Sequence, residues 1–153
     1  MRKTIIRPES VHAHEEWLNL EQLAAVEVTS EDPNFPIESA FGRGQGSGWR
    51  AAEKGQQVIR LVLDEPRPLC RIRLEFSESE NPRTQEFTLR WSRPDGPMTE
   101  IVRQQWTFSP RGSTSEVEDY QVNLDSVSIL ELVLKPDLRP ETAFASLAAW
   151  RIS

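Results

Sequence analysis

The chain has little of what disulfide-stapled, metal-centred or nucleic-acid-binding proteins are made from. Cys70 is the single cysteine among 153 residues, which rules out an internal disulfide and a thiolate zinc cluster and points to a reducing compartment. Only two histidines occur, His12 and His14. Positive charge is in deficit: 18 Lys and Arg stand against 24 Asp and Glu, a net charge of −6, the wrong sign for binding nucleic acid or anionic lipid by counterion release. No apolar run approaches the roughly 20 residues that span a bilayer. The basic start Met1 to Arg7 contains only Ile5 and Ile6 as strong apolar residues before Pro8, too few for a signal-peptide core. Together these absences predict a cytoplasmic protein with neither a nucleic-acid nor a membrane partner.

What is present is a core. Hydrophobic residues make up 37% and charged residues 27%, with the charge dispersed, as in a globular domain. The length fits one domain over 1–153, with residues 1–25 as an N-terminal extension and short helix. Ser10 precedes a stretch from Val11 to Val26 in which Ala13, Trp17, Leu20 and Ala24 recur at helical spacing. The period then falls to two. A strand is expected around Glu27 to Thr29, followed by an irregular loop punctuated by Pro33, Pro36, Gly42, Gly44, Gly46 and Gly48. Ile59, Leu61 and Leu63 define a strand that Pro66-Arg67-Pro68 should end. Cys70, Ile72, Leu74 and Phe76 alternate with Arg71, Arg73 and Glu75, the pattern of a strand with one wet face. Phe87, Leu89 and Trp91 repeat it, a turn at Pro94-Asp95-Gly96-Pro97 leads to a strand over 100–108, and Tyr120 to Leu124, Leu130 to Leu134 and Ala143 to Ile152 supply the rest. Six to eight short strands with one early helix predict an all-β sandwich or barrel.

The run Val26-Glu27-Val28-Thr29-Ser30-Glu31, the loop with Ala40, Gly48-Trp49-Arg50-Ala51-Ala52, and Gln57 to Leu63 ending at Pro66 together resemble the discoidin, or coagulation-factor type C, pattern of the galactose-binding-domain-like group. In that family a tryptophan after the first long loop is followed by a Gln-x-Ile strand and a proline-marked turn. The resemblance covers about residues 20–153. It implies a jelly-roll β-sandwich and a non-catalytic binding role. The Gly48 to Ala52 run with Gly55 is also similar to the opening of the N-terminal domain of a DNA single-strand-break repair scaffold, which supports the fold and not a repair role. Many sugar-binding members hold a structural calcium with an Asp-Gly-Asp-like run before the tryptophan and a glutamate in the last strand, because a hard cation needs several oxygen ligands. This chain has Phe41-Gly42-Arg43-Gly44 and Leu147-Ala148-Ala149-Trp150 there, so no calcium site, and no cofactor, is expected.

Other chemistry is not encoded recognisably. His12 and His14 are two apart, a spacing that does not share a helix face, and no further ligand cluster joins them. The glycines from Gly42 to Gly48 lack the Gly-Lys-Ser/Thr ending and the flanking strand and helix of a phosphate loop. Glu116, Glu118 and Asp119 are close in sequence, but a glycosidase pair needs a cleft, and a solvated strand edge is the simpler reading. No catalytic residue is assigned, and the chain is not read as an enzyme. Arg60, Arg71, Arg73 and Arg90 could form a basic stripe, though pairing with Glu75, Glu86 and other neighbours accounts for them.

Sugar rings stack an apolar face on aromatic side chains while their hydroxyls hydrogen-bond to polar groups. The aromatic candidates for such a site are Phe35, Phe41, Trp106 and Phe108, with Asp32, Asn34, Asn81, Arg83, Gln104 and Arg111 as polar neighbours; Trp49, Trp91 and Trp150 are assigned to the core. The ligand-binding set is therefore Asp32, Asn34, Phe35, Arg83, Trp106, Phe108 and Arg111. Two partners fit this sequence: a carbohydrate, bound by loops at one end of the sandwich, or another protein, docked on the arginine-bearing face or the N-terminal helix.

Overall fold

A computed structural model describes residues 1–4, 17–42, 47–139 and 142–153. Among these residues, eight strands and two one-turn helices follow in the order α1 (Leu20–Leu23), β1 (Ala24–Val28), α2 (Glu38–Phe41), β2 (Trp49–Lys54), β3 (Gln57–Ser77), β4 (Arg83–Ser92), β5 (Thr99–Phe108), β6 (Ser115–Lys135), β7 (Phe144–Leu147) and β8 (Ala149–Ile152). All pairings are antiparallel, in a sheet ordered β1-β3-β6-β4-β5 with β8 also on β3, and in a β2-β7 ribbon. The architecture is the expected jelly-roll β-sandwich.

Two 21-residue strands build both layers. The first part of β3 lies between β1 and the second half of β6, and its last part lies between β8 and the first half of β6. Register shifts between Val62 and Arg71 mark the bend. Across the two layers Phe76 stacks on Phe87 with ring centroids 5.3 Å apart. One buried cluster unites Ile59, Leu61, Ile72, Leu74, Leu89, Leu132 and Trp150, with residues i and i+2 of each strand facing it as a pleated strand requires.

Several expectations change in physical detail. The Pro66-Arg67-Pro68 run does not end a strand, because the prolines sit where the register shifts and their missing N–H groups cost no ladder bond. Cys70 is exposed, since the shift between Leu69 and Arg71 turns Leu69 inward in its place. The helix expected over 11–26 falls partly outside the described residues; within them it is limited to Leu20–Leu23, and Ala24 already pairs with Leu63. There the long-range ladder overrides helical spacing. Tyr120 to Leu124 and Leu130 to Leu134 belong to one strand, and the last segment is divided into β7 and β8.

The Gly48-Trp49 pair has a clear steric reason. Gly48 adopts φ +80°, and a Cβ there would meet the Leu147 carbonyl oxygen at 2.5 Å, so only glycine fits without displacement. The close approach seats Trp49, 1% exposed, in the core, where its indole N–H donates to the Ser30 carbonyl at 3.1 Å.

Candidate functional site

A groove of about 530 Å³ opens between the β2-β7 ribbon, the β3–β4 loop and the segment after β6. Period-two geometry sets its ribbon wall: Ala145 and Leu147 turn inward, so Phe144 and Ser146 face the groove. Phe144 is 43% exposed, unusual for a phenyl ring. Lys54, its partner across the ribbon, places Nζ 6.0 Å from the centre of that ring. Arg50, paired with Ser146, also lines the groove and holds its guanidinium 4.6 Å from the centre of the Phe35 ring.

The opposite wall is organised by one carboxylate, Glu78, and one buried cation, Arg83. Glu78 accepts the backbone N–H groups of Glu80 and Asn81 at 3.2 and 3.4 Å, and the Arg83 Nε–H at 2.8 Å. Burial pulls the Glu78 carboxyl upward, but the hydrogen bonds from Arg83 and from the loop N–H groups prevail and hold it below the usual carboxylate range. Arg83 also donates through Nη1 to the Pro136 carbonyl at 2.8 Å and to Gln85 Oε1 at 3.1 Å. One guanidinium thus ties the β3–β4 loop to the segment that carries Asp137, which lines the same groove.

The structure gathers part of the sequence-selected set. Asp32, Asn34 and Phe35 form a tight loop in which the Phe35 N–H donates to the Asp32 carbonyl and the Asn34 N–H to Asp32 Oδ1. Backbone bonds join this loop to Arg50 in both directions, placing it behind the ribbon wall. Arg83 underlies the loop wall but is 5% exposed, so it braces the groove and offers a ligand little surface. Phe108 is fully buried beneath Arg83, 4.8 Å from the guanidinium carbon to the ring centre, and belongs to the core. Trp106 packs half-buried against that core, and Arg111 is exposed on the β5–β6 turn; neither lines the groove. Of the wider set, Asn81 lines it, whereas Phe41 packs 5.9 Å from Trp150. Arg50, Glu78, Asp137 and Phe144 were not selected from the sequence. Phe144 carried a signal: it stands out of phase with the inward residues of its own alternating segment.

Away from the groove, the acidic trio divides by strand parity. Asp119 faces out and binds Arg71 at 2.6 Å, whereas Glu116 is 1% exposed, not on a solvated edge. Gln85 Nε2 donates to Glu116 Oε1 at 2.8 Å, and burial, reinforced by Glu118, raises the Glu116 carboxyl to about 7. The arginines of the supposed stripe are paired. Arg60 and Arg90 both grip the buried Glu131, and Arg73 binds Glu75; Glu86 is instead the partner of Arg103. His12, His14, Gly44 and Gly46 lie outside the described residues. Among the described residues no group of three His, Cys, Asp or Glu could hold a metal, and no helix is long and apolar enough to cross a membrane.

The fold defines the class: a jelly-roll β-sandwich, similar in architecture to solved carbohydrate-binding modules. Its solved counterparts are carbohydrate-binding modules. The family 32 module of C. perfringens NanJ, solved with galactose, superposes with a TM-score of 0.67 at 14% identity over 89% of this chain and 96% of that one. The CBM32-3 module of a family 31 glycoside hydrolase from Clostridium perfringens gives 0.67 at 20% identity over 90% and 94%. A further Clostridium perfringens module, CpGH89CBM32-5 in complex with GalNAc-β-1,3-galactose, gives 0.65 at 17% over 90% and 99%. No family model and no curated protein matches the sequence. These counterparts overturn the cytoplasmic expectation, since modules of this kind are typically appended to secreted glycoside hydrolases. A fold that needs no disulfide leaves a lone cysteine silent about compartment.

Proposed function

We propose that this chain is a non-catalytic carbohydrate-binding module and that the groove beside Phe144 is its sugar site. The observation that carries the reading is a phenyl ring left 43% exposed on a groove otherwise lined by Arg50, Glu80, Asn81 and Asp137. A pyranose ring places its C–H face on such a ring and its hydroxyls on such neighbours. The shared jelly roll with sugar-bound modules is consistent with this use of the groove.

An amide NMR titration with galactose and N-acetylgalactosamine tests the reading. Shifts should concentrate at Arg50, Asn81 and Phe144, and Phe144→Ala should weaken binding about fivefold, as expected for loss of a stacking contact of about 1 kcal/mol. A panel of neutral and acidic sugars that leaves all groove resonances unmoved would sink it.

A further inference from the structure

The groove is electrically polarised. On the ribbon wall, neither Arg50 nor Lys54 meets a carboxylate among the described residues, although the two flank Phe144 and Ser146 in the β2-β7 register. On the loop wall, Glu78 is neutralised by Arg83, while Glu80 is exposed and Asp137, whose Oδ1 accepts the Arg139 N–H at 3.4 Å, keeps its second carboxylate oxygen for a further hydrogen bond. The strand arginines Arg60, Arg73 and Arg90, by contrast, are each satisfied by a glutamate. Arg50 is also held in place: Phe35 lies under its guanidinium, and the backbone on either side is bonded to the Asp32–Phe35 loop.

We infer that the groove's ligand is an anionic sugar, a uronate whose carboxylate is taken by Arg50 while its ring lies on Phe144. This rests on the sugar reading above and adds the chemical class. A guanidinium presents two parallel N–H donors that match both oxygens of a carboxylate. The hydroxymethyl group of the corresponding neutral sugar offers one oxygen and no charge. Stacking on Phe35 restricts the arginine before the ligand arrives, so less freedom is lost on binding. Hydroxyls on the far side of the ring then donate to Glu80 and Asp137, which fixes the direction in which the sugar lies.

The experiment uses three pairs of sugars that differ only at C6: galactose and galacturonate, glucose and glucuronate, mannose and mannuronate. Each is titrated against the whole chain at neutral pH, with amide NMR shifts as the readout. In at least one pair the uronate should bind about tenfold tighter than its neutral counterpart, the difference between a charged and a neutral hydrogen bond. Added salt should reduce that advantage. Arg50→Gln, at an exposed position, should bring the two members of the pair to equal affinity, and Phe144→Ala should weaken both. Equal or tighter binding of the neutral sugar in every responding pair overturns the inference, as does an advantage that survives Arg50→Gln; both leave the sugar reading standing. Silence from all six sugars overturns the sugar reading itself.

Discussion

Arg83 and Arg50 lie on opposite walls of one groove and are used in opposite ways. Arg83 is buried, with its Nε and Nη1 donors engaged by Glu78, Gln85 and the Pro136 carbonyl. Arg50 is exposed, is stacked on Phe35, and has no acid partner among the described residues. A buried guanidinium must be paired because its desolvation is costly; an exposed one that is positioned but unpaired keeps its hydrogen-bonding capacity for a visitor. Charge satisfied within the chain therefore reads as scaffold, and charge held ready reads as recognition.

The largest effect should come from the scaffold side. Arg83→Ala leaves Glu78 without its partner and the two loops untied, and should lower unfolding free energy by about 3 kcal/mol, measured by denaturant titration. A loss below about 1 kcal/mol would mean that Arg83 does not brace the groove. Glu116 gives the next largest effect, with the opposite sign. Its folded-state titration near 7 lies above the unfolded value of 4.5, so the folded chain binds more protons between them and stability falls as pH rises through that window. Glu116→Gln should remove most of this dependence, seen as flatter midpoints between acid and neutral pH.

Glu131 sharpens the comparison on the sheet face. Its carboxyl is held low by Arg60 and Arg90 against the upward pull of burial, so its contribution is present above the unfolded value and lost as pH falls through the lower, folded one. Because both arginines are 40% exposed and can rehydrate, Glu131→Gln should cost only about 1 kcal/mol. The smallest effect belongs to Arg50→Gln, which should shift stability by less than about 0.5 kcal/mol while changing ligand preference. A large stability loss there would place Arg50 with the scaffold.

Strand parity was legible in the sequence wherever one face is buried. Ile59 to Leu63, Ile72 to Phe76 and Phe87 to Trp91 all face the core in the expected phase. Register shifts were not legible, because nothing near Pro66 announces that β3 continues on a displaced ladder. The groove was harder still. Its walls come from Arg50, the 78–82 loop, Asp137 and Phe144, which meet only after β2 pairs with β7 and Arg83 reaches Pro136. Asp32, Asn34 and Phe35 were found near it because loop composition marks sandwich ends, whereas Phe108 misled because strand-end aromatics also fill the core.

The two long strands also set the order in which the chain is assembled. β4 and β5 are neighbours in sequence and close locally, but β3 must find β6 across separations that grow from 38 residues at Ser77 and Ser115 to 77 at Gln57 and Leu134. Contacts of that range make folding slow, on the order of milliseconds to seconds. The β2-β7 ribbon, joining Trp49 to Leu147, closes a still longer loop. In stopped-flow refolding, Trp91 and Trp106 should therefore report before Trp49, and the groove should be the last part of the molecule to acquire its native shape.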